Sequence, residues 1–268
     1  MLKLWSPALV AAAMIAFLIV HGRACYSPRQ LFLFAVSVFL IGWLFETVSV
    51  ITGFPFGSYH YTEIMGPFVG HVPVSVMPAY CVMGYVSWSM ARILLGRMDG
   101  RLDATLRFGV PVLAAMLMVI WDLSMDPLRA TVEGRWVWLE GGLHFGVPLN
   151  NYLGWALVTW LMFQVFALIL ARTPPPPVEQ PHAVAGRFWL SVPLIYCGFA
   201  FEYLLNPLLA DTDAVVTVNG ADVAVTAIFS QIALLAAATM LPAAFTAAVL
   251  AWRQAPRSLP ASTATEHV

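Results

Sequence analysis

The chain has 268 residues, of which 60% are hydrophobic and 10% charged, with a mean hydropathy of +0.81 and a formal net charge of −1. A soluble domain carries about 25% charged residues, so the composition predicts an all-α, polytopic membrane protein. Its sequence has no basic cluster and no Gly-rich phosphate loop, which argues against a nucleic-acid partner.

A membrane helix needs about 20 apolar residues, and the sequence offers about seven such stretches within one integral domain, 1–268. They run roughly over 4–21, 31–52, 73–95, 108–127, 149–171, 188–209 and 224–251. The first could be a secretory signal, but no convincing small-x-small cleavage site follows its apolar run before His21, so it reads as a helix. Four consecutive prolines within 173–181 predict an extended linker. Pro242 predicts a bend in the last span. Cys25, Cys81 and Cys197 lie far apart without metal-ligand or redox spacing and read as small buried hydrophobes.

Positive charge sets the orientation. With the N-terminus outside, ten arginines fall on the inner side, against Lys3, Arg129 and Arg135 on the outer side. This predicts a multi-pass protein of the cell membrane with a cytoplasmic C-terminus. The outer loops are rich in glycine and aromatics. Segments 53–72 and 128–148 each hold an alternating run, "SYHYT" and "RWVWL", and segment 211–225 carries Asn219-Gly220 as a hairpin turn. Three hairpin-like caps on the outer face are expected, within a degenerate repeat of helix, cap and returning helix.

The acids carry the functional signal. Charge near the middle of a bilayer costs about 2.5–3.5 kcal/mol by insertion scales, yet Glu46, Asp122, Asp126 and Glu202 all lie in apolar stretches. "WDLSMDPL" and "FEYLLNPL" share one pattern: Asp122 and Asp126, like Glu202 and Asn206, are four residues apart and share a helix face. Asn150 and Asn151 open the fifth helix at the same depth. The expected result is one polar layer beneath the caps, with almost no membrane Lys or Arg to neutralise it. Asp126 and Asn206 each precede a proline and can instead end their helices. Trp43, Tyr59, Tyr61, Tyr80, Trp121 and Tyr203 surround this layer. Interfacial belts use such residues, and ring faces also attract cations, including the carbocation formed when an acid protonates an alkene.

Other chemistries fit poorly. The single lysine, Lys3, is misplaced for a retinal Schiff base, and the six histidines fall at helix ends, in loops or in the tail rather than as haem pairs. A magnesium-diphosphate site at Asp122 and Asp126 would want more cations than Arg129 and Arg135. No metal or cofactor is expected. A proton-coupled lipid or small-molecule transporter stays open, because membrane acids also mark proton paths.

"FETVSVITGFPFGSYHYT" (45–62), "VPVSVMPAYCVMGY" (72–85), "WDLSMDP" (121–127) and "WVWLEGGLHFGVPLNNYLGW" (136–155) resemble the membrane carotenoid hydratases of the CruF type, over about residues 40–160. The resemblance implies hydration of the terminal 1,2 double bond of a carotenoid end. Its expected partners are an acyclic or monocyclic carotenoid, water and membrane lipid. Read from the residues themselves, the expected acid is Asp122, or Glu202 in its place. Asp126, Asn150, Asn151 or Glu46 would hold the water. An end-group cyclase or isomerase would begin with the same protonation.

Overall fold

The computed structural model describes residues 7–98, 102–173, 186–209 and 213–253. The expected proline linker, Thr173 apart, and the first residues of the expected first span lie outside them. Nine α-helices are seen among the described residues: α1 (Pro7–Cys25), α2 (Pro28–Thr52), α3 (Val76–Leu94), α4 (Leu106–Asp126), α5 (Leu149–Arg172), α6 (Gly186–Trp189), α7 (Ser191–Leu209), α8 (Val225–Ala238) and α9 (Met240–Arg253). Among the described residues, five apolar stretches are long and apolar enough to cross a membrane: Pro28–Thr52, Leu106–Val132, Leu149–Arg172, Ser191–Leu209 and Val225–Arg253. Leu9–Cys25 is a shorter apolar helix. Large apolar side chains such as Phe32, Leu40, Leu44, Val112, Leu153 and Phe245 point outward, a surface suited to lipid. The protein is an all-α, multi-pass membrane protein.

Local chemistry sets the ends of α2. Ser27 and Gln30 form a reciprocal capping box around Pro28, and Gly53, at φ +79°, closes the helix in the left-handed region that disfavours side chains. Helix α3 packs on α1, α2, α4, α7 and α9, and every residue from Val82 to Ile93 is buried. Protein rather than lipid surrounds this part of α3, which lets it carry Ser87, Ser89 and Arg92. The Arg92 guanidinium donates to the Tyr26 hydroxyl and the Arg97 carbonyl, and lies over the rings of Tyr26 and Trp189.

Proline inside a helix leaves the carbonyl four residues back without a donor. Helix α4 solves this twice with side chains from elsewhere. Gln164 Nε2 of α5 donates to Arg107 O at 3.1 Å, below Pro111, and His144 Nε2 donates to Leu123 O at 2.9 Å, below Pro127. The helix therefore does not stop at Asp126-Pro127. It widens into a π turn, Pro127–Val132, in which Glu133 N–H reaches back to Leu128 O. Helix α7 likewise runs through Pro207 to Leu209. In the last span the break comes at Thr239, three residues before Pro242, because the proline ring crowds the Ala238 carbonyl and offers it no donor.

The caps depart from three separate hairpins. Strands β2 (Phe68–Val69) and β3 (Val72–Pro73) pair within the first long loop. Strands β5 (Val215–Val218) and β6 (Ala221–Ala224) turn through Asn219-Gly220, both at positive φ. The two alternating runs, however, pair with each other. β1 (Tyr59–Tyr61) lies antiparallel to β4 (Trp136–Trp138), with Tyr59 opposite Trp138 and Tyr61 opposite Trp136. Ser58 O accepts from Leu139 N–H at 2.9 Å, and Arg135 O from Thr62 N–H at 3.0 Å, which lengthens the ribbon at both ends. The first loop rests on α5 at Gly154, where a Cβ would lie 2.6 Å from Phe56 Cδ1 and 2.9 Å from Pro55 O. Asn219 Nδ2 ties the third cap to Gly142 O at 2.8 Å.

Replacing His144 with Ala strips the Leu123 carbonyl of its donor. The expected cost is about 1–3 kcal/mol, seen as a lower thermal unfolding midpoint in detergent; an unchanged midpoint would remove this role.

Candidate active site

Alternation along a strand puts Tyr59 and Tyr61 on one side of the ribbon, and Trp136 and Trp138 on the same side. That side faces the bundle. The Tyr59 and Tyr61 hydroxyls both donate to Glu46 Oε2, Tyr61 at 2.8 Å, while Tyr80 of α3 donates to Oε1 at 2.7 Å. Burial, reinforced by the nearby Glu46 carboxyl, pushes the Tyr59 and Tyr61 phenols far above their usual range, so both stay O–H donors at neutral pH. Glu46 thus serves these three residues as an acceptor.

The indoles serve Asp126 in the same way. Its Oδ1 accepts from Trp136 Nε1 at 2.9 Å and Trp138 Nε1 at 3.3 Å, and its Oδ2 accepts from Asn151 Nδ2 at 2.6 Å. The same amide donates to Asp122 Oδ2 at 2.8 Å. Asp122 Oδ1 is buried and has no partner among the described residues. One asparagine therefore bridges two acids, and one carboxyl oxygen is left free.

These groups line a cavity of about 220 Å³ together with Trp121, Trp155, Phe199 and Tyr203. Tyr80 stacks on Trp155, with ring centroids 4.8 Å apart and planes at 12°, and Trp121 meets Trp155 edge-on at 5.9 Å. At the rim, Arg129 pairs with Glu202 and, at 2.6 Å, with Glu133, which also takes Arg135 Nε at 2.6 Å. This corrects the expectation of a layer almost without cations. The π turn carries α4 past Pro127, so Arg129 follows Asp122 and Asp126 on one face.

Of the expected residues, Glu46, Asp122, Asp126, Glu202, Asn151, Tyr59, Tyr61, Tyr80, Trp121 and Tyr203 share the cavity wall. Three stand elsewhere. Asn150 is exposed, because neighbours on a helix point about 100° apart and Asn151 takes the inward direction. Trp43 pins the cap by donating to Val69 O at 3.3 Å. Asn206 is buried outside the wall, its Nδ2 without a partner among the described residues. The rim of Arg129, Glu133 and Arg135 was not expected as part of the site. Its sequence signal is the spacing of Asp122, Asp126 and Arg129, which continues the helix period through the proline.

Fold and site together define a multi-pass membrane protein that holds several carboxyl groups in an aromatic chamber under a strand lid. A family profile described as "carotenoid biosynthesis protein" matches residues 5–211, and the chain belongs to that family. Over 130 residues, 48% of this chain, it is 32% identical to a bisanhydrobacterioruberin hydratase of Haloarcula japonica, and the matched stretch spans 42% of that relative's length. No solved structure matches.

Asn151→Leu leaves both aspartates without their shared donor. It is expected to lower stability by about 1–3 kcal/mol, whereas Asn150→Leu stays near zero. Equal thermal midpoints for the two variants would contradict the bridge.

Proposed function

We propose that this protein is a cofactor-independent carotenoid hydratase, a hydro-lyase that adds water across the terminal 1,2 double bond of an acyclic end group. Family membership and the relative named as a hydratase support this reading. The observation that carries it is Asp122, which sits in the wall of an aromatic chamber with one carboxyl oxygen tied and the other free. A carboxylic acid kept protonated in an apolar site is a competent general acid.

Asp122 Oδ1 gives its proton to C2 of the terminal alkene. The O–H bond breaks as the C2–H bond forms, and C1 becomes a tertiary cation. Trp121, Tyr80 and Trp155 offer ring faces that stabilise it without capturing it. Glu46, fixed by its three phenols, adds preorganised acceptor oxygens. A water oxygen adds to C1, and the oxonium proton passes to Asp126. Asp126 returns it to Asp122, beside which the Asn151 amide holds it. Nothing is oxidised or reduced. Glu202, paired with Arg129 at the rim, holds the charge network in place rather than donating. The ten-to-three distribution of Lys and Arg between the two sides supports an orientation with the lid and the N-terminus outside and the C-terminus cytoplasmic.

A cyclase would start from the same cation and quench it with a neighbouring alkene. The polar acceptors around the chamber, Asp126, Glu46 and the Asn151 carbonyl oxygen, favour held water instead. Expression in a host that accumulates an acyclic carotenoid, followed by mass analysis of the pigments, tests this. The wild type adds one water per reacted end, whereas cyclisation leaves the mass unchanged. Asp122→Asn is expected to lose product by about 100-fold or more; full hydroxylation by a folded Asp122→Asn protein would refute the assignment.

A further inference from the structure

The chamber is closed on one side and open on another. Its walls on α2, α4 and α5 are buried, at Glu46, Trp121, Asp122, Asp126, Asn151 and Trp155. The lining reaches the surface at the polar rim of Arg129 and Arg135, and again toward α3 and α7. Ser75 and Ala79, one turn apart at the start of α3, are exposed, and Val76, Phe199 and Glu202 are half-buried. Phe199 lies ten residues before Leu209, the end of α7, so this side of the opening reaches roughly 15 Å down that helix at 1.5 Å per residue. For a span that ends at Leu209, that depth lies among lipid tails.

The volume adds a second constraint. About 220 Å³ is less than the roughly 300–1,000 Å³ of sites that enclose drug-sized ligands. A long polyene does not fit; one end of it does.

We infer that the gap between the start of α3 and the middle of α7 is a lateral portal, through which a linear isoprenoid polyene binds end-on from the bilayer, its terminal unit in the chamber and its remaining length in lipid against Ala79 and Phe199. The reaction at the end rests on the hydratase reading above; the route rests on the shape of the chamber. Ala79 is the lip, and its single methyl leaves the passage open. The site reads the terminal unit and not the chain length. A polyene with two like ends is converted at each by leaving and rebinding.

Two variants test the portal in the full-length protein in lipid nanodiscs loaded with an acyclic carotenoid. Ala79→Trp fills the lip, and Ala238→Trp places the same bulk on an exposed face of α8 away from the chamber. Turnover is expected to fall by about tenfold or more for the first, through loss of the productive bound pose, and to stay within about twofold for the second. In parallel, p-benzoylphenylalanine at position 79 or 238 is irradiated beside the same polyene, and a covalent adduct is expected at 79 alone. This arm needs no catalysis. If the wild type forms no hydrated product yet position 79 is labelled, the portal stands and the hydratase reading falls. Wild-type turnover by Ala79→Trp, or equal labelling at both positions, overturns the portal. If Ala79→Trp fails to fold, the labelling decides.

Discussion

Everything at the capped end of this protein depends on hydrogen-bond donors delivered to carboxyl groups that helices have carried into the membrane. An unpaired acid there costs about 2.5–3.5 kcal/mol by insertion scales, and a buried phenol or indole without an acceptor carries its own penalty. The lid and the bundle cancel these costs for each other. Tyr59 and Tyr61 satisfy Glu46, and Trp136 and Trp138 satisfy Asp126. Neither half is comfortable alone, which explains why a two-stranded ribbon with six paired residues stays seated on a helical bundle.

The same economy runs through the helices. Helix α4 passes two prolines because Gln164 and His144 take over the missing amide donors. That continuity keeps Asp122, Asp126 and Arg129 on one face and joins the acids to the charge network at the rim. Helix α3 carries a buried arginine because five other helices pack against it. Polar groups within the bundle thus stand where another segment brings the complement.

Much of this could be read from the residues, for identifiable reasons. Membrane helices announce themselves through length and hydropathy, and Asp122 with Asp126 through helical spacing. Asn219-Gly220 marks its hairpin because only a few residues accept positive φ in succession. What escaped was set by contacts distant in sequence. The runs "SYHYT" and "RWVWL" each suggest a strand, but neither names the other as its partner. Pro127 predicts a helix end when His144 is out of view. Asn150 and Asn151 are equivalent on paper, and only the direction of α5 against α4 separates them. A fourth span that ends at 127 leaves Arg129 reading as a loop residue.

The pairing of β1 with β4 ties the chemistry to arithmetic. Strand side chains alternate between faces, so slipping either strand by one residue would turn its two aromatic heads outward and present His60 or Val137 to the acids instead. Gaining or losing one residue within Tyr59–Tyr61 or Trp136–Trp138 would therefore empty half the lid at a stroke. Extra length between Thr62 and Phe68, or between Glu140 and Val147, leaves that parity untouched. Across distant versions of this chain, the two short strands should keep their spacing, and any growth beyond β4 should spare the Gly142 and His144 contacts.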